Sequence, residues 1–82
     1  MNAHKLSNIK LTDLRKFLIS EGLKKIKTNK GRGGHEKWVR HDLLRPIIIQ
    51  SHISPVPEFI IKQVLKHLGV SRKEFLNKIK EL

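Results

Sequence analysis

The sequence predicts a small α+β protein, a two-layer sandwich with helices packed on one face of a three-stranded antiparallel sheet. Three observations predict it. Apolar residues recur at helical spacing in three places: Leu14, Phe17 and Leu18; then Ile60, Ile61, Val64, Leu65 and Leu68; then Phe75, Leu76 and Ile79. Between the first two sets lie three short mixed or β-branched runs, "LKKIKT", "HEKWVRH" and "RPIIIQS". Turn signals separate those runs, "NKGRGG" and "DLL". A chain of 82 residues has room for one domain and one core.

Each element follows from local chemistry. The first ten residues lack a clear period and are expected as a lead-in arm over 1–10. A helix is expected over 12–21, with Thr12 as cap, Asp13 in the first turn and Gly22 as a left-handed stop. Strands are expected over 23–28, 35–41 and 45–51, joined by turns at 29–34 and 42–44. Pro46 stands at the start of the third strand, where its missing N–H does least harm. Pro57 fits the first position of the second helix, Glu58 its first turn and Gly69 its end. A last helix is expected over 72–81, where Ser71 and Glu74 form a capping box and Val70 staples to Phe75. The core is then expected over 11–69 of a single domain, 1–82, with 70–82 as an additional C-terminal helix. The α-β-β-β-α part is double-stranded-RNA-binding-domain-like in topology, which by itself argues no function.

Charge is the strongest bulk feature. Lys and Arg number 18 against 7 Asp and Glu, a net charge of +11. Such a chain is attracted to nucleic acid, to an acidic protein or to an anionic membrane surface. Between Gly22 and Pro46, eight cations (Lys24, Lys25, Lys27, Lys30, Arg32, Lys37, Arg40 and Arg45) face two acids, Glu36 and Asp42. The chain has no cysteine, which excludes a disulfide framework and a Cys-ligated zinc site and fits a reducing compartment. The opening "MNAHKLSNIKL" lacks the apolar core of a signal peptide, and the run "III" at 47–49 is far too short for a membrane span. A cytoplasmic protein without membrane association is expected.

The chemistry narrows to histidine. The seven acids are scattered, with no spacing that forces a metal-binding pair. "GRGG" lies between two strands, not between a strand and a helix, so a nucleotide-binding loop fails on context. Of the five histidines, His4 lies in the arm, His67 near a helix end where a cation suits the dipole, and His41 beside Asp42 at a strand end. His52, in "QSHISP", is either a turn residue or the second member of a site. His35 differs. It opens a strand in "KGRGGHEKW", after Gly33 and Gly34, with Lys30 and Arg32 before it and Lys37 on the same strand face. An imidazole there can move a proton near neutral pH, and the cations can hold a phosphate. Lys25, Lys27 and Arg40 would extend the basic track. Together these are the minimum for RNA cleavage without a metal or other cofactor, in which a base activates the 2′-OH toward the adjacent phosphate. One His cannot be both base and acid in one concerted step, so a second group is needed, and His52 is the candidate. A hairpin turn carrying an incidental His is the plainer reading. Trp38 falls on the opposite strand face, where it either packs under the helices or offers a base-stacking platform.

"GGHEKW", placed after a helix and a strand, resembles the HicA toxins, the ribonuclease half of bacterial HicAB toxin–antitoxin pairs. The downstream "RPIIIQSHISPVPEFIIKQVLKHLGVSRKEF" extends the resemblance, which covers about residues 10–80. It implies a double-stranded-RNA-binding-domain-like fold and an endoribonuclease that cleaves mRNA. It implies His35 as the catalytic residue, with Gly33 and Gly34 as the small residues before it, and His52 as the histidine many relatives carry after the third strand. The implied partner is a HicB-like antitoxin, joined in a hetero-oligomer that covers the site. The extra final helix and the "PVPEF" entry to the second helix depart from the family pattern. Two rival readings are a non-catalytic RNA-binding module and an interaction subunit for an acidic protein.

Overall fold

The computed structural model of the chain describes residues 5–26 and 34–82. Leu11, Leu14, Phe17 and Leu18 line the buried face of α1 (Leu11–Ser20). The helix begins one residue earlier than its sequence suggests, and Thr12 is not its cap. Lys10 is the N-cap residue and contributes no side-chain bond. The Leu11 N–H instead donates to the Ser54 hydroxyl at 3.1 Å, a partner supplied by a distant loop. Gly22, at φ +85°, stops the helix and turns the chain into the sheet.

The sheet is antiparallel, in the order β1 (Lys24–Ile26), β2 (His35–Val39), β3 (Ile47–Gln50). The expected turn over 29–34 lies mostly outside the described residues, as do Lys27, Lys30, Arg32 and Gly33. β2 ends at Val39, two residues short of expectation, because the chain turns at Arg40: the Leu43 N–H returns to the Arg40 carbonyl at 2.9 Å. β3 starts only after Pro46, which has no N–H to give a ladder. In register, His35 faces Gln50, Glu36 faces Ile49, Lys37 faces Ile48 and Trp38 faces Ile47. Directly paired residues share a face. Glu36, Trp38, Ile47 and Ile49 are therefore buried on one side, while His35, Ile48 and Gln50 are exposed on the other.

Two helices complete the fold. α2 (Glu58–Leu68) packs beside β3 and buries Ile61, Val64 and Leu65. Pro57 stands just before its first residue, with an extended ψ of 142°, instead of occupying the first helical position. Gly69, at φ +70°, ends α2. α3 (Arg72–Glu81) opens on the expected capping box: the Glu74 N–H donates to the Ser71 hydroxyl at 3.1 Å, and the Ser71 N–H donates to the Glu74 carboxylate at 3.4 Å.

Two segments expected outside the core belong to it. Phe75 of α3 is completely buried and meets Phe17 of α1 edge-on, ring centroids 4.7 Å apart. In the lead-in segment Leu6 and Ile9 are buried, and Ile9 bridges to Val56. A small protein needs every large side chain it can bury, so both ends are drawn in. The described residues thus form one helix, a three-stranded antiparallel sheet and two C-terminal helices around one apolar cluster. Among the described residues no helix is long and apolar enough to cross a membrane.

Candidate functional site

The site is built at one end of the β2–β3 pair. His35 is the first residue of β2 and is exposed. Just before it, the Ser51 N–H donates to the Gly34 carbonyl at 2.5 Å, carrying the ladder one step beyond the strands. Gly34 has φ +55°, and a Cβ there would lie 2.8 Å from the Ser51 hydroxyl and 2.9 Å from His52 Nδ1. An added Cβ would force one of these side chains to move. The His52 imidazole therefore rests against the Gly34 backbone, one residue from His35. The register that pairs His35 with Gln50 brings the two histidines to the same end of the sheet.

Beneath this end lies a buried ion pair. The Glu36 carboxylate is 5% exposed and points to the side opposite His35. Arg15 of α1 grips it with Nε at 3.0 and 3.2 Å and closes the fork with Nη2. Trp38 Nε1 donates to the same carboxylate at 3.1 Å. Arg15 Nη2 also reaches the Ser51 carbonyl at 3.5 Å. One guanidinium thus ties α1 to β2 and to the residue before His52. Burial pushes the Glu36 carboxyl up, but the hydrogen bonds from Arg15 and Trp38 and the charges of Arg15 and Lys25 outweigh it and hold the group below its ordinary value. The Glu36 bond raises Arg15 against a smaller opposing effect of burial.

The other expected residues divide. Lys37 lies two residues beyond His35 on the same face, half-buried. Lys25 on β1 is exposed but pairs with Trp38, so it lies on the face opposite His35 and does not join the site as expected. Arg40 is committed elsewhere: its Nε donates to Asp42 at 2.6 Å and its Nη1 to the Glu21 carbonyl at 2.6 Å, at the C-terminal end of α1. Five residues of strand put it about 17 Å from His35. Trp38, 3% exposed with its N–H spent on Glu36, is a core residue and offers no stacking face. Lys27, Lys30, Arg32, Gly33 and His4 lie outside the described residues. His41 is exposed in the turn after β2, and His67 is exposed near the end of α2.

Beside His35 runs a groove of about 270 Å³, between the exposed side of β3 and the start of α2. Ile48, Gln50, Ile53, Phe59 and Ile60 line it with His35. Sequence reasoning missed this groove and missed Arg15. A signal for Arg15 existed: Glu36 lies two residues from Trp38, so an inward Trp38 forces Glu36 inward, and a buried carboxylate needs a cation. The groove had a fainter signal in Phe59, a large apolar residue off the stripe of α2.

Compared with protein-family models, curated proteins and solved structures, the chain matches none of them. The functional reading therefore stands on the residues and their arrangement.

Proposed function

We propose that this chain is an endoribonuclease toxin of the HicA kind, cleaving mRNA through histidine acid–base chemistry and neutralised by a HicB-like antitoxin in a hetero-oligomer. The contact between the His52 ring and the Gly34 backbone carries the reading. It sets a second imidazole one residue from His35, and cleavage by 2′-OH attack needs one group to take a proton and another to give one. His35 takes the proton from the 2′-OH, the oxygen attacks the neighbouring phosphorus, and His52 protonates the departing 5′-oxygen. The products are a 2′,3′-cyclic phosphate and a 5′-hydroxyl. The nucleophile comes from the substrate, so no metal-bound water is called for. Lys37, with Lys27, Lys30 and Arg32 from the sequence, supplies positive charge for the phosphates. The helix–sheet–helix order suits a double-stranded-RNA-binding-domain-like ancestry, with α3 as an addition to that plan.

Single-stranded RNA of mixed sequence, incubated with purified protein in EDTA, tests the proposal. Wild type should yield cyclic-phosphate ends. His35→Ala should lose at least 100-fold in rate, and His52→Ala about 10- to 100-fold, within the range for one proton-transfer group. RNA binding without cleavage by the wild type would make the chain a binding module. Equal cleavage by wild type and His35→Ala would remove His35 from the chemistry.

A further inference from the structure

We propose that the groove between β3 and the start of α2 receives one unstacked base of the RNA strand, with Phe59 as the stacking surface and Gln50 as the group that reads the base edge. The inference rests on the ribonuclease reading and names what that reading leaves open, how the strand is held for cleavage and why it must be single.

The groove is continuous with the site, since His35 forms part of its wall. Its volume of about 270 Å³ falls just below the roughly 300–1,000 Å³ of pockets for drug-sized ligands, so it suits a single ring system. Its chemistry suits a base. Ile48, Ile53 and Ile60 supply apolar walls, and Phe59 stands 62% exposed, a large ring left in water in a chain short of core residues. Gln50 adds an amide, donor and acceptor together, at the ladder position opposite His35. Aromatic stacking with an amide or guanidinium reading the exposed edge is how proteins hold splayed RNA bases. A base inside a duplex cannot enter such a groove without leaving its stack.

An apolar anchor from a protein partner is the competing occupant, and the surroundings disfavour it. A stable protein interface needs about 800 Å² from each partner with a core depleted of charge. Here Lys37 stands between Ile26 and Ile48 on the exposed sheet face, with Lys24 farther along it opposite Val39, in a chain of net charge +11. A small apolar slot beside Lys37 in so basic a chain suits a polyanion with one ring inserted.

The test uses a short RNA with 2-aminopurine placed at each position in turn around the cleaved bond, and its all-2′-deoxy counterpart, which cannot be cleaved by this route. Wild type should quench the fluorophore at one position in both strands. Phe59→Ala should abolish that quenching, raise KM about 10- to 100-fold and leave kcat within about twofold, whereas Phe59→Trp should restore both. Gln50→Ala should change which base is preferred at that position. Far-UV circular dichroism checks folding, which the exposure of Phe59 should preserve. Cleavage by Phe59→Ala with unchanged KM and quenching would overturn the groove and leave the ribonuclease standing. Phe59-dependent quenching without cleavage by the wild type would keep the groove and overturn the ribonuclease. Loss of binding to an acidic protein in Phe59→Ala, with RNA binding intact, would assign the groove to a protein partner and overturn the proposal.

Discussion

Gly34 shows how one absent side chain shapes the candidate site. Two separate constraints favour glycine: φ of +55°, and Ser51 and His52 side-chain atoms at 2.8 and 2.9 Å from any added Cβ, which would have to shift. Gly69 supplies the control, since it has φ +70° and nothing within 4 Å of an added Cβ. Alanine at either position meets the left-handed penalty of about 1–2 kcal/mol, which for a domain of this size lowers Tm by at least about 5 °C. Only Gly34→Ala also displaces His52. The expected outcome is a similar fall in melting temperature for both variants, with cleavage reduced at least 10-fold in Gly34→Ala and kept in Gly69→Ala. Melting curves and cleavage rates on the same preparations check it. Equal cleavage by the two would mean that the His52 contact is structural only. From the sequence, "GGH" gave the glycine and the histidine together, but nothing local to it named His52 as the group that needs the space.

Between elements, the Arg15–Glu36 pair joins α1 to β2 and reaches the end of β3. The folded protein holds the Glu36 carboxyl below its ordinary value, so the pair contributes fully above the unfolded value of about 4.3. That contribution is lost as pH falls through the lower, folded value, where the folded carboxylate takes up its proton. Glu36→Gln removes the charge and leaves Arg15, 32% exposed, without its partner. The loss should be about 2–3 kcal/mol at pH 7. It should shrink as pH drops below about 4, where the wild type surrenders the same contribution. Denaturant unfolding of both proteins at pH 7, 5 and 3 measures it, and a gap that stays constant across that range would refute the assigned linkage. The elements themselves were legible because each has its own period and its own punctuation: the helix stripes, Gly22, Gly69, the Ser71–Glu74 box. What joins them was less so. Ser54 capping α1, Phe75 filling the space over Phe17 and the position of α2 beside β3 are all set by packing between distant residues. The stripe on α3 announced an apolar face without saying that the core had a vacancy for it. Register was the intermediate case. Alternation made Trp38 an inward residue, but a slip by one would have changed the faces of His35 and Trp38 together.

At the scale of the whole molecule, the question is whether a net charge of +11 acts as a general attraction or through a few placed cations. Part of the charge is already engaged within the fold. Arg15 pairs with Glu36, Arg40 with Asp42 and Lys78 with Glu21 at 2.6 Å. The proposed reading gives the phosphates four others, Lys37 on the face of His35 and Lys27, Lys30 and Arg32 from the sequence. Each phosphate neutralised on a single strand contributes about −0.7 to the slope of log K against log salt. Four contacts predict a slope of about −3 for binding the uncleavable 2′-deoxy strand. A slope near −8 or steeper would mean that cations all over the surface take part, and the localised site would lose its electrostatic basis. The variants separate the two forces. Lys30→Ala and Arg32→Ala should each weaken binding alike for every base sequence and make the slope shallower by about 0.7. Phe59→Ala should weaken binding at a constant slope, because stacking releases no counterions. Titrations between about 50 and 200 mM salt distinguish these outcomes. A protein that binds by charge alone would weaken with Lys30→Ala and Arg32→Ala and would not respond to Phe59→Ala. A strand gripped by phosphate contacts and pinned by one base beside His35 would respond to all three substitutions.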